Sequence, residues 1–326
     1  MTRSARWLLS AGALLFIGVL ASEGLSAVLS TLALAGWGLL LIAAFHLLPL
    51  ILDAVAIRVL FAHSGTPTSL RDTVLTRWVG ESANSLMPAG QLGGPLLMAR
   101  HLAQRGMSMD AAAAAITVST TLQTIAQILF ALTGIALLGA HSQGTLRTVA
   151  LVVSAALALQ VGGFYFLQQR GFFGKLTRAV TRFSKRDWSR WVSKAEAMDQ
   201  AIQLTYRRPG PVAASFLLSL IGWFVGTGEV YLIARMLAHP LSWGDALLLE
   251  SLGQAIRGAA FAIPGALGVQ EGGYLLLAPL VGLPPDVALA VSLAKRAREL
   301  LLGVPGLLYL HFWERGAIAA AGAAPP

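Results

Sequence analysis

The sequence has no cysteine and little charge of either sign. The absence of cysteine among its 326 residues excludes disulfides, thiolate catalysis and cysteine-ligated metals. Charged residues make up only 12% of the chain, apolar residues 56%, and the mean hydropathy is +0.69. A soluble domain of average composition carries about twice that charged fraction. Too little charge is present to cover an aqueous surface, so we expect an integral membrane protein whose main partner is the lipid bilayer.

Long apolar runs predict the fold class. Because lipid offers the backbone no hydrogen-bonding partners, each segment must pair internally, which favours an all-α, polytopic membrane fold. A helix needs roughly 20 apolar residues to cross a bilayer. Six spans are expected, at 7–21, 32–60, 110–138, 146–167, 211–237 and 286–311. The first run follows Arg3 and Arg6 and has an alternative interpretation as a signal peptide, but we favour an uncleaved helix because no soluble domain needs export.

Two further hydrophobic segments are interrupted by proline and glycine. Segment 72–105 is broken around Pro88 and Gly93, and segment 243–281 is broken around Pro264 and Gly268. The positive-inside rule places the N-terminus in the cytoplasm and favours a re-entrant hairpin for each broken segment. If each hairpin crossed the bilayer fully, the chain would have eight spans. Six spans with two hairpins agree better with the distribution of Lys and Arg.

Segment 168–210 differs from the rest in its charge. It contains ten Lys or Arg and three acidic residues, which accounts for most of the net charge of +9. Apolar residues, including Trp188 and Trp191, recur within it at helical spacing. This pattern predicts a cytoplasmic amphipathic helix that binds anionic lipid headgroups. A basic segment can also bind nucleic acid, but the flanking spans favour lipid.

The two halves of the chain share landmarks at an offset of 176 residues. The matched pairs are His63 with His239, Pro88 with Pro264, Gly106 with Gly282, and Asp110 with Asp286. We interpret 32–138 and 211–311 as two copies of one element within a single membrane domain, 1–326. The predicted topology gives the copies opposite orientations, as in transporters whose broken helices form a site near the midplane. The alternative is a coincidence between two glycine-rich hairpins.

Ionisable and polar residues inside these segments form the candidate substrate-binding site, because such residues are costly in lipid unless they face partners or water. The candidates are Arg77, Glu81, Asn84, Pro88 and Gly93 in the first hairpin, Glu250, Gln254, Arg257, Pro264, Gly265, Gly268 and Glu271 in the second, and Lys295 and Arg298 in the last span. Glu81 and Arg257 occupy matching positions, and we expect them to pair across the repeat.

Several alternatives remain open for these charges. They can neutralise one another and only hold helices together. Lys295, Arg296 and Arg298 are suited to an anionic headgroup, but Lys295 and Glu299 also have the spacing of an ion pair within one helix. Matching positions 53 and 229 hold carboxylates that could couple transport to protons, although hydrogen bonds between helices are the preferred interpretation.

No catalytic or metal-binding motif is found in the sequence. The six histidines are scattered, and the zinc-protease pattern of two histidines on one helical face is missing. Phosphate-binding loops and Ser–His–Asp arrangements are missing as well. We therefore expect neither an enzyme nor a cofactor.

Two glycine-rich runs carry a family resemblance. The run from Ala262 to Gly273, Ala-Ile-Pro-Gly-Ala-Leu-Gly-Val-Gln-Glu-Gly-Gly, resembles the Pro-Gly-x-Leu-Gly-x-x-Glu signature of the lysylphosphatidylglycerol synthase transmembrane-domain family. The run from Asn84 to Gly94 resembles that family's N-terminal counterpart. Within the family, the chain is most similar to membrane proteins associated with hopanoid biosynthesis. The resemblance implies a lipid flippase of the bacterial inner membrane.

The chain departs from the family pattern in two respects. Full synthases carry a soluble aminoacyl-transferase domain after the membrane part, and the last span here ends near His311, so we do not expect lipid aminoacylation. Gln270 stands where an arginine is common, which weakens the case for a headgroup contact there. The function expected is a flippase-like transporter of an amphipathic lipid. A membrane-embedded lipid-modifying enzyme and a non-transporting scaffold are the alternatives.

Overall fold

A computed structural model of the chain is helical throughout the part that it describes. The described residues are 33, 35–61, 68–87, 93–141, 148, 152, 155, 159, 162–168, 170, 171, 175, 189–260 and 263–322. The helices are α1 (Gly38–Phe61), α2 (Leu70–Leu86), α3 (Gly93–Ala103), α4 (Met109–His141), α5 (Ser189–Tyr206), α6 (Pro209–Met236), α7 (Trp243–Ala259), α8 (Val269–Leu277) and α9 (Pro285–Gly322). Short 3₁₀ turns at Pro264–Ala266 and Ala278–Val281 flank α8. The all-α prediction is confirmed for these ranges.

Within the described ranges, three helices are long and apolar enough to cross a membrane. They are Gly38–Phe61, Met109–Gly139 and Pro209–Met236. Exposed leucines on α1, including Leu40, Leu41 and Leu47, fit a surface that faces lipid rather than water. The expectation of a membrane protein with spanning helices is therefore supported.

The other three predicted spans are not among these apolar helices. Segment 7–21 lies outside the described residues, and segment 146–167 is described at only a few positions. Segment 286–311 forms part of the continuous helix α9, but the four charges between Lys295 and Glu299 fall inside it, and α9 is not one of the three apolar spans. The number of crossings stays a prediction.

Both broken segments form helical hairpins with similar starts. The first is α2 followed by α3, and the second is α7 followed by α8. Ser69 accepts a hydrogen bond from the Asp72 amide at 3.0 Å and starts α2, and Ser242 accepts one from the Asp245 amide at 3.1 Å and starts α7. A serine at this position satisfies an amide that the first helical turn leaves without a partner. The break of the first hairpin, including Pro88, lies outside the described residues.

The long helices and the hairpins interlock. Helix α1 packs along α6. The first hairpin helix, α2, packs against α9, and the corresponding helix of the second hairpin, α7, packs against α4. Each half of the chain therefore holds the hairpin of the other half, and the polar side chains of both hairpins are directed between the long helices.

The predicted amphipathic helix is partly described. Helix α5 covers Ser189–Tyr206, in agreement with the helical spacing there. Ile202 is fully buried in an apolar cluster with Ile116 and Leu122 of α4. This end of the segment therefore packs on the protein. The side chains of Trp188 and Trp191 lie outside the described part, and the headgroup contact stays a prediction.

Candidate functional site

A polar cavity of about 420 Å³ lies where the two hairpins meet the long helices. Its wall includes His46 and Asp53 of α1, Glu229 of α6, and uncharged polar residues of α4 such as Gln123. Of the sequence-predicted residues, eight line it: Arg77, Glu81, Asn84, Glu250, Gln254, Arg257, Gly265 and Arg298. The cavity thus joins both hairpins, as the broken segments predict.

Four predicted residues lie outside the cavity wall, and two cannot be judged. Gly93 starts α3, where the Asn84 side chain accepts a hydrogen bond from the next amide, Gly94, at 2.9 Å. Three further predicted residues are buried and do not line the cavity: Gly268, Glu271 and Lys295. The position of Pro88 and the side chain of Pro264 lie outside the described residues.

A partly buried aspartate and arginine form one side of the cavity. Arg77 Nη2 donates to Asp53 Oδ2 at 2.8 Å, and Nε donates to the same oxygen at 3.1 Å. Gln123 of α4 donates to that oxygen at 2.6 Å. The interaction links α1, α2 and α4. It supports the interpretation of Asp53 as a residue that holds helices together.

His46 lies between two carboxylates at the centre of the cavity wall. Its Nε2 is 2.6 Å from Glu81 Oε1, and its Nδ1 is 3.0 Å from Glu229 Oε2. Arg298 Nε donates to Glu229 Oε1 at 3.0 Å, and its Nη1 lies 3.2 Å from Glu81 Oε1. These four side chains come from α1, α2, α6 and α9, so they connect both halves of the chain.

An arginine of α9 binds the backbone at the break of the second hairpin. Gly265 and Ala266 have positive φ angles of 60° and 49°, which turn the backbone out of helical geometry there. Arg296 Nη1 donates to the Gly265 carbonyl at 2.5 Å, and Nη2 donates to the Ala266 carbonyl at 3.1 Å. A Cβ at Gly265 would lie 3.0 Å from the Ser85 carbonyl, so only glycine allows the two hairpins to approach this closely.

The same arginine belongs to a chain of ion pairs. Arg296 Nε is 2.9 Å from Glu271 Oε1, and Nη1 is 3.0 Å from Glu299 Oε2. Glu299 also pairs with Arg257. Arg257 donates to Gln270 Oε1 at 2.8 Å, so Gln270 also belongs to this network.

A lysine–glutamate pair completes the network. Lys295 Nζ lies 2.5 Å from Glu250 Oε2, and the two side chains are 2% and 4% exposed. Gln254 and Tyr274 also donate to Glu250, at 2.8 Å and 3.0 Å. Glu250 and Gln254 are four residues apart in α7, so their side chains lie on one face of that helix.

Two predicted pairings are wrong. Glu81 and Arg257 both line the cavity, but no hydrogen bond or ion pair joins them in the described structure, because Glu81 contacts His46 and Arg298 while Arg257 contacts Glu299. Lys295 and Glu299 do not pair within α9, because the Lys295 ammonium reaches Glu250 of α7 instead. Glu81, Arg257 and Lys295 therefore find their partners on other helices.

The arrangement has a chemical consequence for ligand binding. The three arginines in the cavity wall, Arg77, Arg257 and Arg298, each hold a carboxylate. An anionic group that approaches one of them therefore meets a cation whose charge an acid already balances. A polar ligand with donors and acceptors of its own can exchange partners with the wall at lower cost, since buried charges are expensive only when they are left alone.

His46, Gln123, Arg296 and Glu299 are not among the residues that the sequence predicts for the site. A signal for His46 was present. His46 and Asp53 are the ionisable residues in the middle of the apolar run of α1, and they are two helical turns apart. An ionisable residue within a membrane segment is a candidate functional residue by itself.

A second buried histidine lies outside the cavity. His101 Nδ1 is 2.7 Å from Thr76 Oγ1, and Nε2 is 3.1 Å from the Tyr309 hydroxyl. Each hydroxyl can donate or accept, so a neutral imidazole satisfies both contacts. Burial and the nearby Arg105 lower the pKa of His101 to about 4. His101 therefore has a structural role at the α2–α3 hairpin and contrasts with His46.

The chain matches a family model of known proteins. The family model of the lysylphosphatidylglycerol synthase TM region matches residues 4–306. No curated protein matches the chain. The matched range includes both hairpins and every residue named in the cavity wall.

Proposed function

The chain belongs to the lysylphosphatidylglycerol synthase TM region family, and on this basis we propose that it is a flippase-like transporter of an amphipathic lipid. The family points to a lipid-related function in a membrane. The proposed role is to give a polar headgroup a path between leaflets, without covalent chemistry on the lipid. The proposed location is the bacterial inner membrane, with several crossings.

The observation that carries the proposal is a polar cavity next to an apolar groove, with α6 between them. One face of α6, including Trp223 and Glu229, lines the polar cavity. The other face, including Phe224 and Gly228, lines a groove of about 630 Å³ that has only apolar walls. A lipid needs both environments at once. The headgroup would enter the cavity while its chain stays along the groove.

The helix packing supports an inverted repeat in this transporter. If α1, α2 and α4 are exchanged with α6, α7 and α9, the contact of α2 with α9 becomes the contact of α7 with α4. The contact between α1 and α6 maps onto itself. We propose that 32–138 and 211–311 are related in this way, since such repeats let one site open to either side of a membrane.

The first lipid to test is a hopanoid or a polar hopanoid derivative, because the sequence most resembles the hopanoid-associated members of the family. Anionic glycerophospholipids are the comparison, because the arginines in the wall already hold carboxylates. The basic segment 168–210 is proposed to contact anionic headgroups at the surface, separately from transport.

The test is lipid movement in proteoliposomes. Purified protein should speed the passage of a headgroup-labelled lipid from the inner to the outer leaflet, measured by loss of label to an impermeant quencher. The double variant Glu81→Ala with Arg257→Ala should lose this activity, whereas Arg71→Ala, at an exposed position, should keep it. Equal rates for the double variant and the unmodified protein would show that the lipid headgroup does not pass through the cavity.

The alternatives give different results in the same preparation. A lipid-modifying enzyme would convert the added lipid to a new product, which mass spectrometry of the extracted vesicles would detect. A scaffold would show neither product nor movement and would co-purify with a biosynthetic enzyme. Either outcome would replace the transporter proposal.

A further inference from the structure

Both ring nitrogens of His46 face carboxylate oxygens. Nε2 is 2.6 Å from Glu81 Oε1, and Nδ1 is 3.0 Å from Glu229 Oε2. An ionised carboxylate only accepts hydrogen bonds, and a neutral imidazole carries a proton on one nitrogen only. With a neutral ring and two ionised carboxylates, one of these contacts would therefore set two lone pairs against each other.

The geometry thus requires one more proton in the group formed by Glu81, His46 and Glu229. Either His46 is an imidazolium that donates to both acids, or the ring is neutral and one acid is protonated. The two forms contain the same number of protons. The proton count follows from the positions of the heavy atoms and does not depend on which form is present.

Arg298 does not remove this requirement. Its Nη1 is 3.3 Å from His46 Nε2 and 3.2 Å from Glu81 Oε1. If Arg298 donated to an unprotonated Nε2, that nitrogen would still lie 2.6 Å from a carboxylate oxygen with no proton between them. The arginine is therefore a donor to Glu81 and leaves the proton between the ring and the acid.

In the described structure, no histidine contacts the other carboxylates of the cavity wall within hydrogen-bond distance. Asp53 accepts hydrogen bonds from Arg77 and Gln123. Glu250 accepts a hydrogen bond from Lys295, and Glu299 accepts hydrogen bonds from Arg257 and Arg296. A histidine is the side chain that ordinarily exchanges a proton near neutral pH. The group at His46 is therefore the one in this wall that can release a proton without breaking a permanent ion pair.

The charged groups around His46 lie on α1, α2, α6, α7 and α9. With the extra proton, Glu81, Glu229, His46 and Arg298 sum to zero, and release of the proton leaves a net negative charge. The neighbouring charges are the Asp53–Arg77 pair of α1 and α2, Lys295 and Glu299 of α9, and Glu250 of α7. Each of these has its own counter-ion, so none offsets the change at His46. The described part of α4 adds only uncharged polar groups to this wall.

We propose that the group formed by Glu81, His46 and Glu229 is a proton-binding site whose loading and release drive the movement of lipid through the cavity. This inference rests on the transport proposed above. Its members lie on α1, α2 and α6, which belong to both halves of the chain. Release of the proton removes one of the two hydrogen bonds of His46, either the one to Glu81 of α2 or the one to Glu229 of α6. This loosening of the wall gives the headgroup access to it.

A direct test uses the purified full-length protein in detergent, without transport. Nuclear magnetic resonance of isotope-labelled histidine nitrogens is followed from about pH 5 to pH 9. His46→Gln identifies the signal of His46, and His101→Gln identifies that of the buried histidine outside the cavity. The proposal expects the His46 signal to change with pH in this range, as the proton leaves either the ring or its acid partner, and it expects Glu81→Gln to change that titration. A neutral His46 signal that is unchanged by pH and by Glu81→Gln would overturn the site.

A second test measures coupling in sealed proteoliposomes. If one proton moves with each lipid, a gradient of one pH unit should change the ratio of the lipid in the two leaflets about tenfold, since both correspond to about 1.4 kcal/mol. His46→Gln and Glu81→Gln should abolish this response, and His101→Gln should retain it. Size-exclusion profiles show whether each variant is folded.

The two proposals fail in different ways. Movement of lipid that reaches the same distribution with and without a gradient would overturn the coupling and leave the transporter in place. Absence of movement under every condition would overturn the transporter, and the histidine titration would still decide whether the proton site exists.

Discussion

The ammonium of Lys295 lies 2.5 Å from Glu250 Oε2, with both side chains almost completely buried. The lysine belongs to α9 and the glutamate to α7, so the pair links the last helix to the second hairpin. Tyr274 of α8 donates to the same oxygen of Glu250 at 3.0 Å. Glu250 therefore brings together both helices of the second hairpin and α9.

Removal of one partner of this pair should destabilise the protein strongly. Lys295→Met leaves Glu250 as a buried charge with no cation, and loss of one partner of a buried pair typically costs about 3–5 kcal/mol. Lys295→Met combined with Glu250→Gln should cost less than Lys295→Met alone, because no charge is left unpaired. Unfolding of the purified protein by detergent titration measures both. A double variant that is less stable than Lys295→Met would contradict this account.

The ion-pair partners of these charges show which parts of the site can be predicted from the sequence and which cannot. Hydropathy and the Pro/Gly breaks predict the hairpins, and rarity of charge in apolar segments identifies Glu250 and Lys295 as candidates. Which acid meets which base depends on helix rotation and side-chain reach across different helices. Alignment of the two halves places Glu81 opposite Arg257, but it contains no information about Glu299, which lies closer to Arg257 in space. His46 has no counterpart in a known motif, so its role becomes visible only when α2 and α6 are placed beside it.

The break of the second hairpin should depend on the shape of the Arg296 side chain. The guanidinium contacts the carbonyls of Gly265 and Ala266 together with the carboxylates of Glu271 and Glu299. A lysine has one nitrogen and cannot reach both carbonyls and both acids. Arg296→Lys should therefore raise hydrogen exchange of the backbone amides at 263–268 at least about tenfold, since each 1.4 kcal/mol of local stability is tenfold in opening.

The matched control for this substitution is Arg235→Lys. Arg235 is exposed at the end of α6 and contacts only the Tyr231 side chain in the described structure. Its replacement should leave exchange at 263–268 at the level of the unmodified protein. Equal exchange in the Arg296 and Arg235 variants would show that the arginine does not hold the break.

The contact between α2 and α9 should require glycine at position 306. A Cβ there would meet the Ser82 side chain and lie 3.1 Å from Trp78 Nε1. Gly306→Val should push the first hairpin away from α9 and cost about 1–3 kcal/mol, the usual range for overpacking. The comparison is Gly210→Val, where a Cβ meets no atom within 4 Å. Unfolding midpoints of the two variants that do not differ would contradict close packing at this position.

The predicted topology can be tested by single cysteines, because the chain has none of its own. An N-terminus in the cytoplasm and two re-entrant hairpins place positions 143 and 240 outside and position 186 inside. Position 240 suits the test because Pro240 is exposed in the turn between α6 and α7, whereas its neighbour Leu241 is buried. An impermeant maleimide applied to intact cells should label the cysteines at 143 and 240 and should label 186 only after the membrane is opened. Labelling at 186 in intact cells would invert the orientation, and labelling at only one of 143 and 240 would mean that the stretch between them has a different number of crossings.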